Sequence, residues 1–248
     1  MTSRVSVLGC PVDLLRRDTT QQSVLDATLG SDLMHVVTLN PEQIMAARAN
    51  VAMAESIRAA DLITVDGIGL ALALKLAGDH PVERVTGVQL VEWICELGIP
   101  AYFLGGQAGA AEQAMSRMAD RYPASQLAGS WSGATHQAGD DSATIERIAD
   151  SGAIAVLVAY GSPAQLLWIE RNRTALTDAG VRIAIGVGGA FDYLSGQVRL
   201  PPAWVRQAGL EWLARLVSQP RRWRRQLVLP AFAALAGLEA SGRRLGRR

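Results

Sequence analysis

The sequence has only two cysteines, Cys10 and Cys95, far apart in the chain. That excludes a disulfide framework, and no Cys/His spacing of the zinc-site type is present. Both read as buried thiols of a reduced compartment. No run of roughly 18 or more apolar residues occurs, so no helix is expected to span a bilayer. The start MTSRVSVLGC lacks the apolar segment and cleavage pattern of a signal peptide. These absences point to a cytoplasmic protein. His35, His80 and His136 share no ligand spacing, so no metal is expected. Gly67-Ile68-Gly69 lacks the third glycine of a dinucleotide fingerprint, so no nicotinamide cofactor is expected.

What is present is apolar. Hydrophobic residues make up 49% of 248, which suits one globular domain, or one domain with an appendage. The net charge of +1 hides an asymmetry. Residues 201–248 hold ten arginines against Glu211 and Glu239, a local +8, which leaves −7 on residues 1–200. A basic tail on an otherwise acidic chain implies an acidic partner: membrane, nucleic acid or a phosphorylated substrate.

Residues 4–8 (RVSVL) read as a short strand and 20–30 as a weak helix. Then apolar strand-like runs alternate with helical stretches. The runs are MHVVTLN (34–40), DLITVDG (61–67), AYFLGG (101–106), IAVLVAYG (154–161) and RIAIGVGGAF (182–191), with QLAGSW (126–131) as a further short strand. Such alternation predicts a mostly parallel sheet with helices on both faces. AVLV is apolar throughout and LITV is so but for Thr64, as strands covered on both faces should be. From Pro201 the pattern is helical only. AWVRQAGLEWLARLVS ends at Pro220, and RRWRRQLVLPAFAALAGL follows as a second piece expected to bend at Pro230. The boundary is placed at residue 200.

In an open parallel sheet, ligands bind at the carboxyl ends of the strands. The polar and glycine residues predicted there are Thr38, Asn40, Asp66, Gly67, Gly105, Gly106, Gln107, Ser162, Gln165, Gly186, Gly188 and Gly189. Asp66 ends LITV and could serve as a general base or cap the next helix. Asn40-Pro41 reads equally as a helix start, and Thr38 as a β-branched strand residue. The glycine-rich turns 105–109 and 186–189 would let a backbone approach a diphosphate. Arg84 could neutralise such a group or lie on the surface.

In the tail, Arg221, Arg222, Arg224 and Arg225 flank Trp223, and LVLPAFAALAGL follows. Twelve helical residues reach about 18 Å, short of a hydrocarbon core of about 30 Å. The combination suits an interfacial helix on anionic lipid, the alternative being a helix packed on the protein's own core. The apolar run beside the arginines argues against nucleic acid.

The stretches VVTLNPEQI, ADLITVDGIGL, ERVTGVQLVE, YFLGGQAGAAEQA, YGSPAQLLWIERNR and IGVGGAFDYLSGQVRLPPAWVRQAGLEWLARLVSQPRRWRR occur in order between about residues 34 and 226. As a set they resemble the WecG/TagA/CpsF glycosyltransferase family. The resemblance implies a Rossmann-like α/β domain over residues 1–200. A basic helical appendage over 201–248 would bind the membrane and complete the active site. It implies transfer of a sugar, of N-acetylmannosamine or glucose type, from a UDP-sugar to a polyprenyl-diphosphate-linked sugar. Transfer would proceed with inversion and without a required metal or other cofactor, at the inner face of the membrane. No Asp-x-Asp pair occurs, consistent with arginines and helix N-termini stabilising the leaving UDP. By the resemblance Asp66 is the base, Thr38 and Asn40 form the strand-end motif, Arg84 is the active-site arginine and Gln165 follows Gly-x-Pro. Arg215, Arg221, Arg222 and Arg224 fall where the appendage would reach the diphosphate. A homo-oligomer is also implied. One departure stands out: the usual Lys-Gln-Glu after Gly-x-Pro is Ala164-Gln165-Leu166 here. The alternative it raises is a regulatory protein that binds the nucleotide-sugar without catalysis.

Overall fold

The computed structural model describes residues 3–132, 141–199, 201–202, 205, 211–218 and 223–246, without the side chains at 211, 215, 218, 224, 225, 245 and 246. The chain opens with a hairpin, β1 (Ser3–Val7) and β2 (Cys10–Leu14), paired antiparallel and separate from the main sheet. Leu8 and Gly9, both at positive φ, make its two-residue turn, the backbone that matches strand twist in tight hairpins. Only the first of these strands is predicted from the sequence. Pro11 disguises the second, because proline is confined to edge positions.

The main sheet has six strands, all parallel, in the order β4 (Leu62–Val65), β3 (Met34–Leu39), β8 (Ile183–Gly186), β7 (Ala155–Ala159), β5 (Ala101–Gly105), β6 (Leu127–Trp131). This is the parallel α/β sheet that the alternation predicts and the Rossmann-like architecture that the resemblance implies. β5, β7 and β8 are buried at every residue, which is why they read as unbroken apolar runs. The crossovers carry helices: α1 (Arg17–Ala27) ahead of β3, then α2 (Pro41–Ala47) and α3 (Val51–Ala59), α4 (Ile68–Ala77) and α5 (Gly87–Glu96), α6 (Ala110–Arg121), α7 (Ser142–Ser151), α8 (Ala164–Arg171), α9 (Arg173–Asp178) and α10 (Ala190–Leu194). Helix starts follow the sequence. Asn40 and Thr86 each form a capping box with the glutamine three residues on, and Pro41 occupies the first turn of α2.

One core layer joins α5, α6 and α10 to the sheet, with Phe103 stacked on Phe191 at 5.2 Å between ring centroids. Another, around α7–α9, is built on Trp168, which is fully buried and donates Nε1–H to Asp141 at 3.1 Å. The third lies under the hairpin, α2, α3 and α4.

The tail contains α11 (Glu211–Ser218), α12 (Trp223–Gln226) and α13 (Val228–Gly246). Here the structure departs from expectation twice. Pro230 does not bend a helix; it lies in the first turn of α13, where no intrahelical donor is lost. And the apolar run is not held out for lipid along its whole face. α13 packs on α4 and α2, burying Phe232 and Ala236 in the third core layer and Ala240 beyond it. It is pinned at two further points. Leu8 N–H donates to Glu239 at 2.7 Å, and Arg243 pairs with buried Asp79 at 2.7 Å. Leu227, Leu238 and Trp223 stay exposed. Among the described residues no helix is long and apolar enough to cross a membrane.

Candidate active site

Because every main-sheet strand runs the same way, all their carboxyl ends share one edge. A continuous cleft of about 1800 Å³ opens there. Thr38, Asn40, Asp66, Gly67, Arg84, Gly106, Gln107, Ser162, Gln165, Gly188 and Gly189 all line it, brought from five strands and the loop before α5. Gly105 does not. It ends β5 at φ +85°, and a Cβ there would come within 2.6 Å of the Tyr160 ring, so its role is to admit that ring. Arg221 and Arg222 lie outside the described residues. Arg215 and Arg224 fall on α11 and α12, with side chains outside the described set.

The strand-end residues are tied to one another. Thr38, at 5% exposure, donates its hydroxyl to the Gly186 carbonyl at 3.1 Å, which commits its proton to joining β3 and β8. Gln165, from the first turn of α8, accepts the Gly188 N–H through Oε1 at 3.0 Å and is 2% exposed. That bond commits the carbonyl end and leaves the amide nitrogen for a ligand. Gln165 fits only because residue 186 has no side chain: a Cβ there would meet Nε2 at 2.6 Å. Asn40 spends its side-chain oxygen on the Gln43 N–H at 3.0 Å, so the capping and cleft-lining readings of this residue hold together.

Asp66 follows β4 directly, its N–H donating to the Leu39 carbonyl at 2.8 Å. Gly67 then turns the chain at φ +99°, with Pro41 Cδ 3.4 Å from where a Cβ would be; a larger residue there is strained. Arg84 forms an isolated parallel bridge with Val65, next to Asp66 in sequence.

Other cleft residues escaped the sequence reading. Arg17, at the start of α1, is exposed and lines the cleft; its Nε donates to the Arg84 carbonyl at 3.2 Å and its N–H to Glu83 at 2.9 Å. The tail supplies part of the wall through Trp212, Gln226 and Phe232, with Gln226 donating to the Trp212 carbonyl at 3.0 Å. Among the described residues, no group of three or more His, Cys, Asp or Glu stands together as a metal site.

The profile of the glycosyl transferase WecG/TagA/CpsF family matches residues 5–245. The chain belongs to that family. It is therefore a glycosyltransferase. A relative from Bacillus spizizenii (strain ATCC 23059 / NRRL B-14472 / W23), named N-acetylglucosaminyldiphosphoundecaprenol N-acetyl-beta-D-mannosaminyltransferase, is 31% identical over 201 residues, 79% of this chain and 76% of its own. Within this glycosyltransferase the departure at Ala164 and Leu166 falls outside the cleft lining. Leu166 is fully buried in the core, its carbonyl accepting the Ser56 hydroxyl at 3.1 Å. A charge there would be buried, so leucine serves packing.

Proposed function

We propose that the protein transfers a sugar of N-acetylmannosamine or glucose type from a UDP-sugar to a sugar on a polyprenyl diphosphate, with inversion and without a metal. The observation that carries this is the gathering of Asp66, Arg84 and Gln165 around one cleft of a family glycosyltransferase. The relative's name supplies the acceptor class.

The chemistry is a single displacement. Asp66 takes the proton of the acceptor hydroxyl as its oxygen attacks the anomeric carbon. The bond from that carbon to the UDP oxygen breaks on the opposite face, and the electron pair leaves with the β-phosphate. Arg84, with Arg17 beside it, stabilises that charge together with glycine-turn N–H groups. Thr38 shapes the strand end through Gly186, and Gln165 and Asn40 position sugar hydroxyls through their amide nitrogens. The basic tail, with Trp223 and Leu227 exposed, rests on anionic lipid at the inner face of the membrane and brings the cleft to its acceptor.

The test is UDP release with a panel of UDP-sugars and a lipid-diphosphate-linked N-acetylglucosamine, with and without EDTA. Release with one donor that survives EDTA is expected. Absence of release with every donor contradicts the assignment, and loss in EDTA alone contradicts metal independence.

A further inference from the structure

We infer that the outer face of α4 carries the isoprenoid chain of the lipid-linked acceptor away from the cleft; this rests on the reaction proposed above. α4 reads IGLALALKLA. Apart from Lys75, which also lines the cleft, it is apolar all round, and a helix so apolar is normally enclosed. Its inner face is: Leu70, Ala71, Ala73, Leu74 and Ala77 are buried. Its outer face is not. Leu72 is 51% exposed and Leu76 is 54% exposed. Ile68, Leu72 and Leu76 recur every fourth residue and so form one row, about 12 Å long.

The row borders the cleft rather than standing apart from it. Leu72 and Leu76 line the same continuous cleft as Asp66, and Val82 and Val228 line it with them. A bilayer meets a protruding face, whereas a groove encloses a single chain. The direction also fits. α4 begins two residues after Asp66, where the acceptor hydroxyl is deprotonated. Leu72 and Leu76 lie about one and two turns further on. That interval leaves room for the acceptor's sugar and diphosphate before the first isoprene unit. Chain length is thus read by apolar contact on α4, separately from the chemistry at Asp66.

The experiment compares two acceptors in mixed micelles of one detergent: N-acetylglucosamine on undecaprenyl diphosphate and on a short alkyl diphosphate. The full-length protein is set against Leu72→Gln/Leu76→Gln, with Leu72→Met/Leu76→Met as the conservative control and thermal unfolding as the check on folding. For the glutamine variant, the KM for the undecaprenyl acceptor should rise roughly tenfold. Its kinetics with the short acceptor should be unchanged, and the methionine variant should behave as the parent. Equal KM values for the two chain lengths in the parent, or equal losses on both acceptors in the glutamine variant, overturn the inference and leave the reaction standing. If the parent transfers to neither acceptor from any donor, the proposed reaction fails and this inference with it.

Discussion

Arg84 and Val65 pair in an isolated parallel bridge, and the Val85 N–H donates to the Val65 carbonyl at 3.0 Å. The backbone of Arg84 is thereby fixed beside the strand end that carries Asp66, although α4 and a loop separate the two in sequence. The proposed base and the proposed leaving-group cation are thus held by one piece of sheet.

Arg84→Ala should therefore lower kcat on the order of a hundredfold with little change in acceptor KM. Arg84→Lys should recover only part, because an ammonium does not reproduce a guanidinium's fork. Steady-state UDP release measures both. A kcat near the parent's in the alanine variant would remove Arg84 from the chemistry.

Gly186→Ala probes Gln165 without touching it. The added Cβ would lie 2.6 Å from Nε2 and push the side chain off the Gly188 N–H. The expected result is a raised donor KM and a cooperative unfolding transition within about 2 kcal/mol of the parent's. Combined with Gln165→Ala, the glycine change should add little, since both remove the same contact.

Removing Phe232 tests the tail as part of the fold. Phe232 is 3% exposed, lines the cleft and packs against the core under α4. Phe232→Ala should cost about 3–4 kcal/mol in denaturant unfolding and lower activity as the cleft loses a wall. Full stability in this variant would mean that α13 does not dock in solution.

Acid stability depends on Glu170. Burial works against its carboxylate, but hydrogen bonds and charge from His35 and Arg173 outweigh that and hold its pKa at about 2. A depressed carboxylate stabilises the fold fully above its unfolded value of about 4.3, and the contribution is lost as pH falls toward 2. Glu170→Gln should flatten the fall in stability over that window and cost about 2 kcal/mol at pH 7. An unchanged acid limb in the variant would place the titration elsewhere.

The alternation of apolar runs with helical stretches made the parallel sheet legible, because LITV, AVLV and IAIG hold no charged residue and, Thr64 apart, no polar one. Asp66, Asn40 and Gln107 were legible for the same reason: they are where such runs end. Arg17 was not, since only the packing of α1 against the loop at Glu83 and Arg84 brings it to the cleft. Nor was the docking of α13. An apolar helix face gains as much against a core as against lipid, so composition alone could not choose between them. Gly105 misled because a strand-end glycine looks alike whether it admits a phosphate or a Tyr160 ring.

Everything proposed for the reaction turns on Asp66 as its base. The most direct measurement is UDP release by Asp66→Asn, with its saturating donor and lipid-linked acceptor, alongside circular dichroism and thermal unfolding. The expected rate is lower by on the order of a thousandfold, with fold and donor binding retained. A folded variant that turns over within a few fold of the parent would contradict it.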